Sequence, residues 1–288
     1  MQCDLDSATI HYEEFGPGQG QGHGQGRPIV FLHGWTMDCR MEIVDYEPIF
    51  AGRDGWRRIY PDLPGMGRSL AKRIHNQDDV LAALLAFLDR VLPRGDSFVL
   101  CGTSLGGYLA RAIAAKRREQ VAGLLLRMPA VIADTARRTL PPFRPLVANE
   151  ALLASLGAET RAGLGEVLVQ SPGYLEAQQR KLREVVQPAI AATAPLLAEM
   201  RADPRRYSLS FDLAEAEKGF ARPTLIIAGR QDTTVGYRDA WDILESYPRA
   251  TFAVIDRADH GWPLESPRLF AALVEDWLDR IELAERAA

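Results

Sequence analysis

Gly102-Thr103-Ser104-Leu105-Gly106 follows the apolar run Phe98-Val99-Leu100-Cys101 and opens a stretch with helical spacing, so the chain must turn from strand to helix within this pentapeptide. Only glycine fits the flanks of so sharp a corner, and the residue at its apex, Ser104, has its hydroxyl pushed outward. Alone, Gly-x-Ser-x-Gly is weak: at ordinary residue frequencies about one chain in ten of this length carries it by chance. Its place between a strand and a helix gives it weight.

The rest of the chain extends that alternation. Ile29-Val30-Phe31-Leu32 is a short continuous apolar run, as in a strand buried on both faces. Arg58-Ile59-Tyr60, Ser97 to Cys101, Val121 to Leu126, Thr224 to Ala228 and Thr251 to Ile255 predict further strands. Leu105, Tyr108, Leu109, Ala112 and Ile113 mark one face of a helix, as do Phe270, Leu273, Val274, Trp277, Leu278 and Ile281. Strands alternating with helices imply an α/β fold with a mostly parallel, doubly wound sheet. Ala8 to Glu14 instead alternates with period two, and is expected as an antiparallel edge strand.

Two segments break the pattern. Gly16 to Gly26 is nearly all glycine and glutamine and is expected as a flexible surface loop; with no helix after it, it is no dinucleotide fingerprint. Between Val131 and Arg222, apolar groups are spaced for short helices: Leu152, Leu153 and Leu156; Leu164, Val167 and Leu168; Leu175, Leu182, Val185 and Val186; Leu196, Leu197 and Met200. Pro172, Pro188, Pro195 and Pro204 are expected to cut them into short pieces. A structureless connection of that length is foreign to a compact domain. The expectation is a helical cap, residues 131–222, inserted into a core of 1–130 and 223–288. Its basic residues are matched almost one for one by acidic ones, which predicts a solvated surface rather than a charged-substrate site.

Composition serves mainly to exclude. A chain of 288 residues, 47% apolar and 25% charged, suits one large globular domain. A net charge of −4 gives no reason to expect nucleic acid or an anionic membrane as partner. No run approaches the roughly 18 apolar residues of a spanning helix, and Met1-Gln2-Cys3-Asp4 begins no leader pattern. Cys3, Cys39 and Cys101 are odd in number and scattered, which suits a reducing cytoplasm. With no Cys-x-x-Cys, His-Glu-x-x-His or Gly-x-x-x-x-Gly-Lys-Ser/Thr, no cofactor or metal is expected.

A serine hydroxyl is a poor nucleophile near neutral pH and needs a base, an orienting acid and donors for the oxyanion. Five ordered landmarks supply candidates. His33-Gly34-Trp35 follows the first buried strand, and Asp62-x-x-Gly65-x-Gly67-x-Ser69 follows the second. The Ser104 corner comes next, then Gly229-Arg230-Gln231-Asp232 and Asp259-His260-Gly261. Together they resemble the α/β-hydrolase family over nearly all of the chain outside the cap. The resemblance implies Ser104 as nucleophile, Asp232 as acid and His260 as base, in the family's chain order. It also implies an oxyanion hole from the backbone N–H groups of Leu105, at a helix N-terminus, and Trp35.

The residues themselves leave rivals for two of these roles. Among the histidines, His11 lies in the edge strand, His23 in the glycine loop, and His75 just before a helix starting near Asn76, while His33 would hold its loop. Asp256 and Asp259 compete with Asp232, as does Asp134 after the Val121 strand. Asp62 is expected to pin neighbouring loops rather than react.

The implied activity is hydrolysis of a small carboxylic ester through an acyl-enzyme. The His-Gly-Trp loop resembles that of small carboxylesterases, including those acting on acyl-chain methyl esters. A serine at 104 argues against the carboxylate-nucleophile branches that open epoxides or remove halogen. Cleavage of a C–C bond, lactone or thioester with the same parts is the alternative, and a ligand receptor on this scaffold is another. The expected partner is a small-molecule substrate; the sequence carries no sign of oligomeric state.

Overall fold

The computed structural model describes residues 1–17, 26–92, 95–164 and 166–286. His23 and residues 18–25 of the glycine-glutamine stretch therefore lie outside the described residues. Every strand expected from the sequence is present: β2 (Ala8–Phe15), β3 (Arg27–Leu32), β4 (Trp56–Pro61), β6 (Phe98–Thr103), β7 (Val121–Arg127), β8 (Thr224–Gly229) and β9 (Ala250–Ile255). Two short ones join them, β1 (Gln2–Asp4) and β5 (Leu70–Ala71). The sheet order is β1-β2-β4-β3-β6-β7-β8-β9, with β5 pairing β2. All pairings from β4 to β9 are parallel, while β2 runs antiparallel to β1, β4 and β5.

One expectation is corrected here. The Ala8 strand is antiparallel but not an edge, because β1 and β5 cover its outer side. Gln2–Asp4 and Leu70–Ala71 are too short to show a period, so neither was expected.

The chain leaves β3 in one direction to reach β4 and leaves β6 in the other to reach β7. Right-handed crossovers then put α1 (Cys39–Phe50) on one face and α3 (Leu105–Lys116) on the other. The C-terminal helix Pro267–Arg286 packs with α1, and α2 (Gln77–Val91) with α3. Covered on both sides, β6 and β8 are buried at every position. Phe270, Val274, Trp277, Leu278 and Ile281 are the buried stripe of the last helix, each contributing about 1.5–3 kcal/mol by leaving water. The reversal of direction between β3 and β6 leaves a crevice at their C-terminal ends, where α/β sheets build their sites.

Between β7 and β8 the chain forms short helices, among them Glu150–Ala154, Ala158–Leu164, Pro172–Lys181, Leu196–Ala202 and Leu213–Ala216. Pro172 and Pro204 sit in first turns, where a missing N–H costs nothing. Pro188 does not cut its helix as expected. Pro172–Lys181 runs through a wide π-turn, Leu182–Val186, straight into Gln187–Ala191. The Gln187 N–H donates to the Leu182 carbonyl, and the widened turn absorbs the proline ring that a regular turn would reject. Leu153, Leu164, Val167 and Leu175 form a small core of their own, whereas Leu197, Met200, Tyr207, Leu209 and Leu213 join the main one. Among the described residues, no helix is long and apolar enough to cross a membrane.

Candidate active site

The corner after β6 is tight because backbone, not side chain, surrounds it. A Cβ on Gly102 would strike the Gly106 carbonyl, and one on Gly106 would strike the Leu32 carbonyl and come within 2.6 Å of the His33 oxygen. Ser104 itself carries the strain, with φ 54° and ψ −116°. Thr36 (φ 58°), after β3, and Met128 (φ 43°), after β7, are the only other described non-glycine residues with positive φ. Distortion worth about 1–3 kcal/mol per residue is thus confined to three neighbouring strand ends, a distribution typical of functional sites. Ser104 is only 9% exposed, so its hydroxyl opens into a covered cavity rather than bulk water.

His260 and Asp232 converge on that hydroxyl. The His260 Nε2 lies 3.0 Å from Ser104 Oγ, and its Nδ1 lies 2.8 Å from Asp232 Oδ2. Asp232 can only accept when ionised, so Nδ1 bears the proton and Nε2 is free to accept from the serine. The other Asp232 oxygen, Oδ1, accepts the Thr234 and Val235 N–H groups at 2.8 and 3.0 Å. Burial by itself pushes this carboxyl up, but the imidazole and the two amides outweigh it and hold the carboxyl below its ordinary range.

The rival carboxylates are engaged elsewhere. Asp259 Oδ1 accepts the Gly261 N–H at 2.7 Å, Asp134 Oδ1 accepts the Ala136 N–H at 3.0 Å, and Asp256 faces solvent. Among the described residues, Asp232 is the one carboxylate bonded to His260. Of the other histidines, His75 is exposed and His11 is buried in β2 beside Glu13. His33 is fully buried: its Nε2 accepts the Leu63 N–H at 2.8 Å, so Nδ1 donates to the Gly34 carbonyl at 2.8 Å. It ties the loop after β3 to the loop after β4, and burial keeps it neutral by lowering its pKa. Asp62 does the same from the other side, accepting from the Cys39 and Arg68 amides at 2.7 and 2.8 Å.

The loop so held presses Gly34 against Ser104: a Cβ there would lie 3.3 Å from Ser104 Cβ. The adjoining Trp35 N–H and the Leu105 N–H, first in α3, have no protein acceptor among the described residues. Two unspent donors beside a strained serine are what an oxyanion requires.

An ion network that no sequence motif announced lies beneath the serine. Arg127, last in β7, contacts Glu42 at 3.0 Å, Asp45 at 2.6 Å and Thr103 Oγ1 at 2.9 Å. Lys181, at the head of the π-turn, reaches Asp45 at 3.0 Å. A cation ending a strand buried on both faces must be paired, so Arg127 was legible as a problem; its partners on α1 were not.

Two adjoining cavities meet at His260. One, of about 300 Å³, is lined by Ser104, Trp35, Thr103, Arg138, Arg201 and Tyr207 among others. The other, of about 280 Å³, is lined by Tyr174, Gln178, Lys181, Leu182 and Leu264 among others. They share Met41, Thr234, His260 and Gly261. Arg138 and Arg201 are thus corrections to the expectation of a solvated basic surface on 131–222.

A model of the alpha/beta hydrolase family matches residues 29–273. The chain is 24% identical over 286 residues to a pimeloyl-[acyl-carrier protein] methyl ester esterase of Shewanella woodyi, covering 95% of this chain and 99% of that one. It is 28% identical over 267 residues to a 2-succinyl-6-hydroxy-2,4-cyclohexadiene-1-carboxylate synthase of Salmonella newport, covering 85% and 92%. Among solved structures, an alpha/beta superfamily hydrolase from Oenococcus oeni superposes with a TM-score of 0.81 at 22% identity, over 98% of this chain and 99% of that one.

Proposed function

This chain belongs to the alpha/beta hydrolase family, and on that premise we propose that it is a serine hydrolase cleaving a small carboxylic ester through an acyl-enzyme. The observation that carries the reading is the unbroken hydrogen-bonded line Asp232–His260–Ser104 at the strained corner. An esterase among the relatives supports the ester class, while the synthase among them shows why family membership alone does not name a substrate. Cavities of about 300 and 280 Å³ lie at the small end of ligand sites, which favours a small ester.

In this mechanism His260 Nε2 takes the Ser104 proton as Oγ attacks the ester carbonyl carbon. The carbonyl oxygen becomes an oxyanion, held by the Trp35 and Leu105 amides. As the tetrahedral intermediate collapses, the C–O bond to the alcohol breaks and His260 protonates the departing oxygen. Water then gives a proton to His260 and attacks the acyl carbon, and the serine regains its proton as the acid leaves. Asp232 holds the Nδ1–H tautomer and stabilises the imidazolium in each half-reaction. Residues 131–222 act as a cap that covers the strand ends of a core formed by 1–130 and 223–288, keeping Ser104 from bulk water.

The test is a panel of short p-nitrophenyl esters, with thioesters and lactones beside them, on the wild-type protein and Ser104→Ala. Turnover should fall about 10⁴-fold or more in the variant at an unchanged melting temperature. A fluorophosphonate should add its mass to Ser104 and to no other residue. Retained turnover in Ser104→Ala overturns the assignment, and a wild type that neither turns over nor labels points to the receptor alternative.

A further inference from the structure

The cavity beside Ser104 carries a charge that the ester mechanism leaves unused. Three arginines line it, Arg127, Arg138 and Arg201, against a single carboxylate, Asp45. Arg127 is saturated by Glu42 and Asp45, and Lys181 also spends its charge on Asp45, so those two cations and two carboxylates balance. Arg138 and Arg201 have no such partner among the described residues. Arg138 donates only to backbone carbonyls, of Ile132 at 2.8 Å, Thr234 at 2.9 Å and Ala133 at 3.4 Å. Arg201 lies 4.1 Å over the Tyr207 ring and 5.7 Å over that of Trp35, with no carboxylate in reach.

Two partly buried guanidinium groups on one small cavity wall repel each other and have lost hydration. Burial, and then the Arg201 charge, push Arg138 below the usual arginine value. Asp232 and Asp239 pull the other way, yet Asp232 is bound to His260, and Asp239 accepts the Thr139 N–H. An anion between the two arginines would relieve the repulsion and meet donors shaped for a planar carboxylate.

The division of the cavities says which end of the substrate bears that anion. Ser104 and Trp35 line only the arginine cavity, whereas His260 lines both. The leaving oxygen must face His260 to receive its proton, which directs the alcohol toward the Tyr174 cavity and the acyl chain toward Arg138 and Arg201. Building on the serine-hydrolase reading above, we propose that Arg138 and Arg201 form a carboxylate subsite and that the substrate is a monoester of a short dicarboxylic acid.

The test needs no turnover. In the Ser104→Ala protein, titration calorimetry compares monomethyl adipate with its neutral isostere, the methyl ester primary amide of the same acid. The acid should bind at least tenfold tighter, and Arg201→Gln in that background should cut the preference about tenfold. Arg138→Gln should cut it as well; because Arg138 also holds three carbonyls, Arg201→Gln decides the matter if Arg138→Gln does not fold. Equal affinity for acid and amide, no measurable binding of the acid, or a preference that survives Arg201→Gln overturns the subsite. Anion preference without hydrolysis by the wild type would keep the subsite and refute only the esterase reading.

Discussion

The sheet and the segment between β7 and β8 hold their shape by different means. In the sheet, β6 and β8 are buried at every position, and Gly102 and Gly106 stand where backbone meets backbone, which leaves the Ser104 corner little room to move. The segment buries only one or two side chains per helix; Leu197, Met200, Tyr207, Leu209 and Leu213 reach the main core, and polar contacts moor it besides. Glu217 forks onto Arg111 at 2.7 Å, Lys181 reaches Asp45, and the Tyr174 hydroxyl donates to Glu265 at 2.6 Å. The groups proposed to react thus stand on the sheet, while Arg138, Arg201 and Tyr207, which line the cavity beside Ser104, come from the inserted segment. Chemistry that needs sub-ångström placement and a pocket that must suit one substrate are served by different regions.

The contrast can be broken at several points, the largest effect first. Asp232→Asn should lower kcat by about 10⁴-fold with the fold intact, because it stabilises the wrong imidazole tautomer, whereas Asp259→Asn should cost under tenfold. If steady-state kinetics rank those two variants the other way, the rigid relay has been assigned the wrong acid. Glu217→Ala leaves Arg111 charged, buried and unpaired, and should destabilise by about 3–5 kcal/mol in urea unfolding. A loss under 1 kcal/mol would show that the mooring is dispensable.

Paired glycine substitutions probe the same difference more gently. Gly106→Ala should cost about 1–3 kcal/mol and most activity, since the new methyl meets the Leu32 and His33 carbonyls. Gly173→Ala, with nothing within 4 Å of its Cβ, should be neutral or stabilise by about 0.5 kcal/mol. Equal costs at the two sites would erase the distinction.

The smallest effect is a pH slope at the Tyr174 mooring. Burial, aided by Asp259, raises Glu265 from 4.5 to about 7, against the opposing pull of the Tyr174 hydroxyl. A carboxyl with a raised folded pKa stabilises the fold in its protonated form. That contribution is complete below 4.5 and disappears as the pH rises through about 7. Glu265→Gln should therefore flatten the melting-temperature profile across this window, and an unchanged slope would assign it to another group. Asp232, held below its ordinary value, acts with the opposite sign and only at lower pH.

Legibility in the sequence follows the same division. Ile29–Leu32 and Thr224–Ala228 announced their strands because a segment covered on both faces must be apolar throughout, a purely local signature. Ser104, Asp232 and His260 were implied by the resemblance that five ordered landmarks carry, with rivals left open for the acid and the base, and the structure brings all three into contact. The outer strands β1 and β5 were missed because so few residues carry no period. Pro188 was misread because a π-turn answers to helix continuity on both sides, not to the proline alone. Arg138 and Arg201 were averaged into a near-neutral segment, where composition could not tell an inward cation from an outward one.

The sequence by itself determined the alternating strands and helices and the glycine-flanked corner, since each depends on neighbours within a few positions. Tertiary structure alone decided that Asp259 turns to its own loop while Asp232 meets His260, that Arg127 finds Glu42 and Asp45, and that two arginines face the serine without a carboxylate. Those outcomes rest on where distant backbones cross, and an electrostatic or hydrogen-bonding partner is set by distance in space, which spacing along the chain does not encode.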